Sequence, residues 1–232
     1  MTETAPKREN LLLNLVFNIV IPTLILTKFS GDNQLGPQLG IVVALAFPIV
    51  YGVKDYFRLH KINFFSALGV FSVLMTGGMS LLEIDPKYIA IKEAAIPAAF
   101  GIATLISLKT KYPLVRIFLF NDMVMKTEVV HQALEQRGAE AAFDRALVVA
   151  SAMLAGSFFL SSALNYILAR IVLVSAPGTE AFNAELGKMT ALSFPVIALP
   201  AMLVMMGALF YLFRQIKLLT QLELEDILRN MD

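Results

Sequence analysis

KMTALSFPVIALPAMLVMMGALFYLFR, residues 188–214, sets 25 uncharged residues between Lys188 and Arg214. Wound as an α-helix at ~1.5 Å per residue, Met189 to Phe213 extends roughly 38 Å. That exceeds the ~30 Å hydrocarbon core of a bilayer, so the stretch reads as a membrane span. Five more apolar segments lie N-terminal to it: Leu11 to Thr27, Gly36 to Val53, Ile62 to Leu82, Tyr88 to Leu108 and Ala146 to Ser175. The first two are near the short limit for a span. The N-terminal segment carries positive charge ahead of an apolar run but shows no convincing cleavage site, so it reads as an uncleaved first span. The longest polar connection, Lys109 to Arg145, separates the fourth and fifth segments. No composition shift or internal repeat divides the chain. The expectation is an all-α polytopic membrane bundle of about six transmembrane helices, one membrane domain over residues 1–232.

Composition agrees. Of 232 residues 57% are hydrophobic and 16% charged, against ~25% charged in a typical soluble domain. Mean hydropathy is +0.71. A net charge of +1 offers no field for nucleic acid. The absence of cysteine excludes disulfides, thiolate metal sites and cysteine nucleophiles.

Lys and Arg set the orientation, because cytoplasmic loops are enriched in them. Of the 19, only Lys28, Lys87 and Lys188 fall on one side, and Lys92 and Arg170 fall inside spans. The other fourteen share the side of both termini, which is therefore read as cytoplasmic. Tyr51, Tyr56, Tyr88, Tyr112 and Tyr211 sit near span ends, where amphipathic rings are favoured. Two cytoplasmic stretches, about 112–137 and 214–231, are amphipathic. After Asn121-Asp122, read as a cap, Met125, Val129, Ala133 and Leu134 share one face. In the tail Leu224, Ile227, Leu228 and Met231 recur at helical spacing. Such faces dock a partner or lipid headgroups, or pack against their own bundle.

Ionisable and amide groups within spans are the default candidates for function. Lys92 and Glu93 lie in the fourth span, where Asp85-Pro86 reads as cap and first helical position. They form either an ion or proton site, or a snorkelling lysine beside a carboxylate paired to another span. Asn14, Asn18 and Pro22 line one stripe of the first helix, at i, i+4 and i+8. The stripe is either a polar seam on a water-filled path or ordinary interhelical hydrogen bonding. Asn165 lies late in the fifth span, and Arg170, beyond it, reads as an interfacial anchor. Gly69, Ser72, Thr76 and Ser80, beside Gly77-Gly78, put small residues on the third helix and mark it for close packing, or else Gly77-Gly78 marks a bend at a binding site. His60 and His131 have no clustered carboxylates, so no metal or haem site is expected and no cofactor is implied. There is no phosphate-cradling glycine loop and no nucleophile elbow.

Several stretches in order carry a likeness. They are Ile21-Pro22; Thr76-Gly77-Gly78-Met79-Ser80-Leu81; Ile89-Ala90-Ile91-Lys92; Lys111-Tyr112-Pro113-Leu114-Val115-Arg116; and Phe158-Phe159 with Asn165-Tyr166. Together they resemble the pattern of the intracellular septation protein A family of bacterial inner-membrane proteins, and a slightly longer branch of it. The chain departs from that pattern in lacking tryptophan, near Lys92 and before the fifth span, and in a longer loop (Asn121 to Arg145) and tail after Arg214. The resemblance implies a non-enzymatic multi-pass protein of the bacterial inner membrane. It would support cell-envelope maintenance or septation through other envelope or division membrane proteins, and no active site is transferred. The alternative reading is a small-solute or ion transporter or channel, for which six spans suffice, especially as a homo-oligomer, using Lys92, Glu93, Asn14 and Asn18.

Overall fold

The computed structural model describes residues 16–59, 64–110, 113–120, 122 and 125–228. Among them it is all-helical, without named strands. A π-turn, Val16–Val20, leads into α1 (Ile21–Lys28); then come α2 (Gly36–Leu59), α3 (Phe64–Leu81) and α4 (Pro86–Ser107). The short α5 (Leu114–Phe118) and α6 (Thr127–Gln136) precede the 33-residue α7 (Glu140–Val172). Next, α8 (Glu180–Ser193) passes through a second π-turn, Phe194–Ala198, into α9 (Leu199–Thr220), and α10 (Leu224–Ile227) closes the described chain. Among the described residues four helices are long and apolar enough to cross a membrane: Gly36–Lys54, Pro86–Ser107, Glu140–Val172 and Glu180–Thr220. Val16–Lys28 is apolar but shorter.

Proline explains both π-turns. Pro22 has no N–H to offer the Asn18 carbonyl, and Pro195 and Pro200 withhold theirs from Ala191 and Val196. Each ladder loosens into the wider turn at that point. Helix starts follow the expected chemistry. Asp85 Oδ1 accepts from the Lys87 N–H at 2.8 Å, opening α4 at Pro86. That backbone bond holds the Asp85 carboxyl below the usual carboxylate range. Thr179 Oγ1 caps α8 by accepting from the Phe182 N–H at 3.2 Å.

The chain forms two compact units, one drawn from Met1–Lys92 and Tyr166–Phe194, the other from Glu93–Asn165 and Pro195–Asp232. In the first, α1 packs between α2 and α8. Gly187 permits the approach: a Cβ there would stand 2.8 Å from Thr27 Cγ2 and 3.2 Å from both Leu26 Cβ and the Thr23 carbonyl oxygen. Asn183, fully buried, donates from Nδ2 to the Pro37 carbonyl at 2.7 Å and ties α8 to the start of α2. Glu185 closes the turn before α8, accepting from the Val174 and Ser175 N–H groups, each at 2.9 Å, and from Ser175 Oγ at 2.6 Å. Gly187→Leu is expected to cost about 1–3 kcal/mol through overpacking. Gly78→Leu, facing open space, should lie near wild type. Denaturant unfolding of the purified proteins in micelles compares the two.

In the second unit α4 and α7 meet through stacked Phe100 and Phe158 rings, 5.6 Å between centroids. Ser162 Oγ also donates to the Ala94 carbonyl at 2.8 Å. The core of this unit joins Phe143, Leu147 and Ala150 of α7 to Ala208, Leu212 and Ile216 of α9, with Val115, Phe120, Met125, Val130, Leu134 and Ile227 closing over them. The amphipathic stretches therefore lie on their own chain. Lys126 N–H donates to the Ile227 carbonyl at 2.8 Å, Met125 bridges Leu228, and Arg137 donates to Gln221 Oε1 at 3.1 Å.

Several boundaries differ from the sequence expectation. The helix after Asn121-Asp122 begins only at Thr127, with Asp122 accepting from Thr127 Oγ1. Met125 therefore lies outside the helix and the helical phase shifts by one residue. Val130 and Leu134 are buried, while Val129 is 39% exposed. In the tail Ile227 is buried and Leu228 exposed; Met231 lies outside the described residues. Likewise α7 starts at Glu140 rather than Ala146, because left-handed Gly138 (φ 59°) ends α6 and lets the next helix begin at once. α9 runs on to Thr220, two turns past Phe213, before Gln221 at φ 57° turns the tail back.

Candidate functional site

α3 and α4 are joined by only Leu82, Glu83, Ile84 and Asp85, which makes them adjacent in the chain's course. Thr76 lies five residues before the end of α3 and Lys92 six after the start of α4. At ~1.5 Å per residue both stand roughly 8–9 Å from the turn. Ile89 and Ala90, fully buried, fix the face of α4 from which Lys92 departs.

Lys92 is 8% exposed, so it does not snorkel to the surface. Its Nζ donates to Thr76 Oγ1 at 2.6 Å, Ser72 Oγ at 3.0 Å and the Ser72 carbonyl at 3.1 Å. An ammonium carries three protons and no acceptor, so these oxygens together offer a partner for each proton. They replace the hydration that burial removes, which a desolvated ammonium requires. On the α3 side Thr76 Oγ1 also donates to the Ser72 carbonyl at 3.0 Å and Ser80 Oγ to the Thr76 carbonyl at 2.8 Å. The result is a polar clamp between two apolar helices.

The serine-threonine stripe, which the sequence marks for packing, is thus the partner of the lysine, which the sequence marks for function. The signal that joins them is depth: equal distances from one short turn. Gly77 does serve packing, since a Cβ there would overlap Leu45 Cδ1 of α2, whereas Gly78 faces open space. Gly69 lies on the same helix.

Of the other polar candidates, Glu93 is half-buried, about 100° round α4 from Lys92. Asn18 is half-buried in the first π-turn, and Asn14 lies outside the described residues. The Asn165 amide donates to the Ser161 carbonyl one turn earlier in its own helix, at 2.8 Å. Arg170 is exposed.

Ser72 Oγ beside Lys92 Nζ is a hydroxyl–amine pair of the kind nucleophilic catalysis uses. Here the amine acts as a donor to three acceptors. Ser72 sits in mid-helix, where the neighbouring N–H groups belong to the helix ladder and none is free to hold an oxyanion. The arrangement is a hydrogen-bonded crosslink between α3 and α4. Among the described residues no group of three His, Asp or Glu side chains could hold a metal ion; His131 is exposed and His60 lies outside them. Set against known proteins, no family model, no curated protein and no solved structure matches this chain.

Proposed function

We propose that this is a six-span protein of the bacterial inner membrane, with both termini in the cytoplasm, that supports cell-envelope maintenance or septation by association with other membrane proteins and without catalysis. Val16–Lys28 and Phe64–Leu81 join the four longer helices as the remaining spans, and the Lys and Arg asymmetry gives the orientation. The observation that carries the reading is the Lys92 clamp. The most buried charge on α4 is engaged by Ser72 and Thr76 in holding two helices together, a use that calls for neither substrate nor cofactor. The likeness to septation protein A supplies the cellular role. Burial of Val130, Leu134 and Ile227 against the chain itself directs partner contacts away from those apolar faces, toward the lipid-exposed helix surfaces and polar loop faces.

Affinity capture from native membranes tests the proposal. Envelope or division proteins are expected among the captured partners, and a deletion strain is expected to grow poorly under osmotic stress. Recovery of none of them together with normal growth overturns it. A transporter or channel is the second reading, favoured by the burial of an ionisable group inside a candidate span. It requires that Lys92→Met abolish function while the protein still folds.

A further inference from the structure

Beside the first π-turn lies a groove of about 310 Å³, lined by Phe17, Ala46, Phe47, Val50, Tyr51 and Lys54. That volume is at the lower end of the ~300–1,000 Å³ typical of ligand sites. The five α2 residues recur at i, i+1, i+4, i+5 and i+8, so they form one face about 12 Å long. Phe17 supplies the opposite wall: its ring stacks on Tyr51 at 5.7 Å and tilts toward Phe47 at 6.4 Å. Both walls are irregular at this level, Phe17 because it sits in the π-turn and α2 because Pro48 interrupts it. Val50 is 64% exposed along the groove.

The charge pattern identifies the occupant. Ala46, Phe47 and Val50 offer only apolar surface. Along the same face of α2 the lining continues through Tyr51 to Lys54, toward the end of the helix that the proposed orientation sets in the cytoplasm. Lys54 is exposed and enters no ion pair among the described residues. An apolar groove with a phenol and an exposed ammonium at its Lys54 side matches the headgroup-proximal part of an acyl chain followed by an anionic headgroup.

We propose that this groove binds one acyl chain of an anionic phospholipid from the cytoplasmic leaflet, with its phosphate on Lys54. The proposal rests on the membrane orientation above, in which Lys54 faces the leaflet that carries anionic lipid.

The full-length protein, purified in neutral detergent, is mixed with equal amounts of dioleoyl phosphatidylglycerol and dioleoyl phosphatidylcholine, and bound lipid is counted by native mass spectrometry. Wild type is expected to retain the anionic phosphatidylglycerol in preference. Lys54→Gln should lower that preference about fivefold, and Lys54→Arg should keep it. Val50→Trp, which fills the groove, should lose both adducts, and Lys109→Gln should leave the ratio unchanged. An unchanged ratio in Lys54→Gln, or an equal loss in Lys109→Gln, overturns the site. A dimer without lipid adducts that Val50→Trp dissociates assigns the groove to a second copy and also overturns it. Carbonate extraction separates the two levels: release of the chain from membranes refutes the membrane reading, whereas a membrane-retained chain without lipid preference refutes only the site.

Discussion

Ser72→Ala combined with Thr76→Val is expected to destabilise the protein by about 3–5 kcal/mol, because it removes two of the oxygens to which the buried Lys92 ammonium donates. Lys92→Met in the native background should cost about 1 kcal/mol or less. Methionine fills the space of the lysine stem, and both hydroxyls fall back on carbonyls of their own helix, as Thr76 Oγ1 already does on Ser72 at 3.0 Å. The sharpest expectation is rescue: adding Lys92→Met to the double variant should recover most of the lost stability. Equilibrium unfolding in mixed micelles, followed by helical ellipticity, reads all three. If the damage is instead additive, Lys92 does not depend on these hydroxyls and the clamp is wrong. The same Lys92→Met protein, folded and stable, separates the functional readings: full complementation opposes a transport site at this lysine.

Phe143→Ala is expected to cost about 3–5 kcal/mol and to act on the second unit. Phe143 is 2% exposed and its ring meets Phe120 edge-on at 5.0 Å. It therefore joins α7 to the segment before α6, and the core around it also takes in Ile227 of the tail. Loss of the ring should loosen α6 and the tail before the apolar helices. Limited trypsin digestion should show it as faster cleavage after Lys126 and Arg137, with cleavage after Lys87 unchanged. Val129→Ala, at an exposed position one residue from the buried Val130, should digest like wild type.

How far these features are legible in the sequence varies with their physical origin. Apolar length is a property of single segments, so the long helices are visible directly, as is the start of α4 at Asp85-Pro86. Helix ends set by left-handed residues are harder to read. Gly138 permits the early start of α7, but nothing marks Gln221 in advance as the residue that turns the tail. The α6 face is displaced because Met125 pairs with Leu228, a contact about 100 positions away that periodicity cannot register. The clamp is the instructive case. Ser72 and Thr76 at i, i+4 look like packing residues, and Lys92 looks like a lone charge. Only their equal depth on either side of a four-residue turn joins them. That rule is usable wherever two apolar helices share a short connection.

We propose above that the chain crosses a membrane several times, with its Lys- and Arg-rich loops and both ends on one side. Because the natural chain contains no cysteine, each single substitution reports one position without background. In intact cells a membrane-impermeant maleimide should label Asp32→Cys and Ala176→Cys. It should reach Thr4→Cys, Gln132→Cys and Glu225→Cys only after the membrane is permeabilised. Labelling of Gln132→Cys in intact cells, or of Thr4→Cys and Glu225→Cys on opposite sides, would overturn the proposed topology.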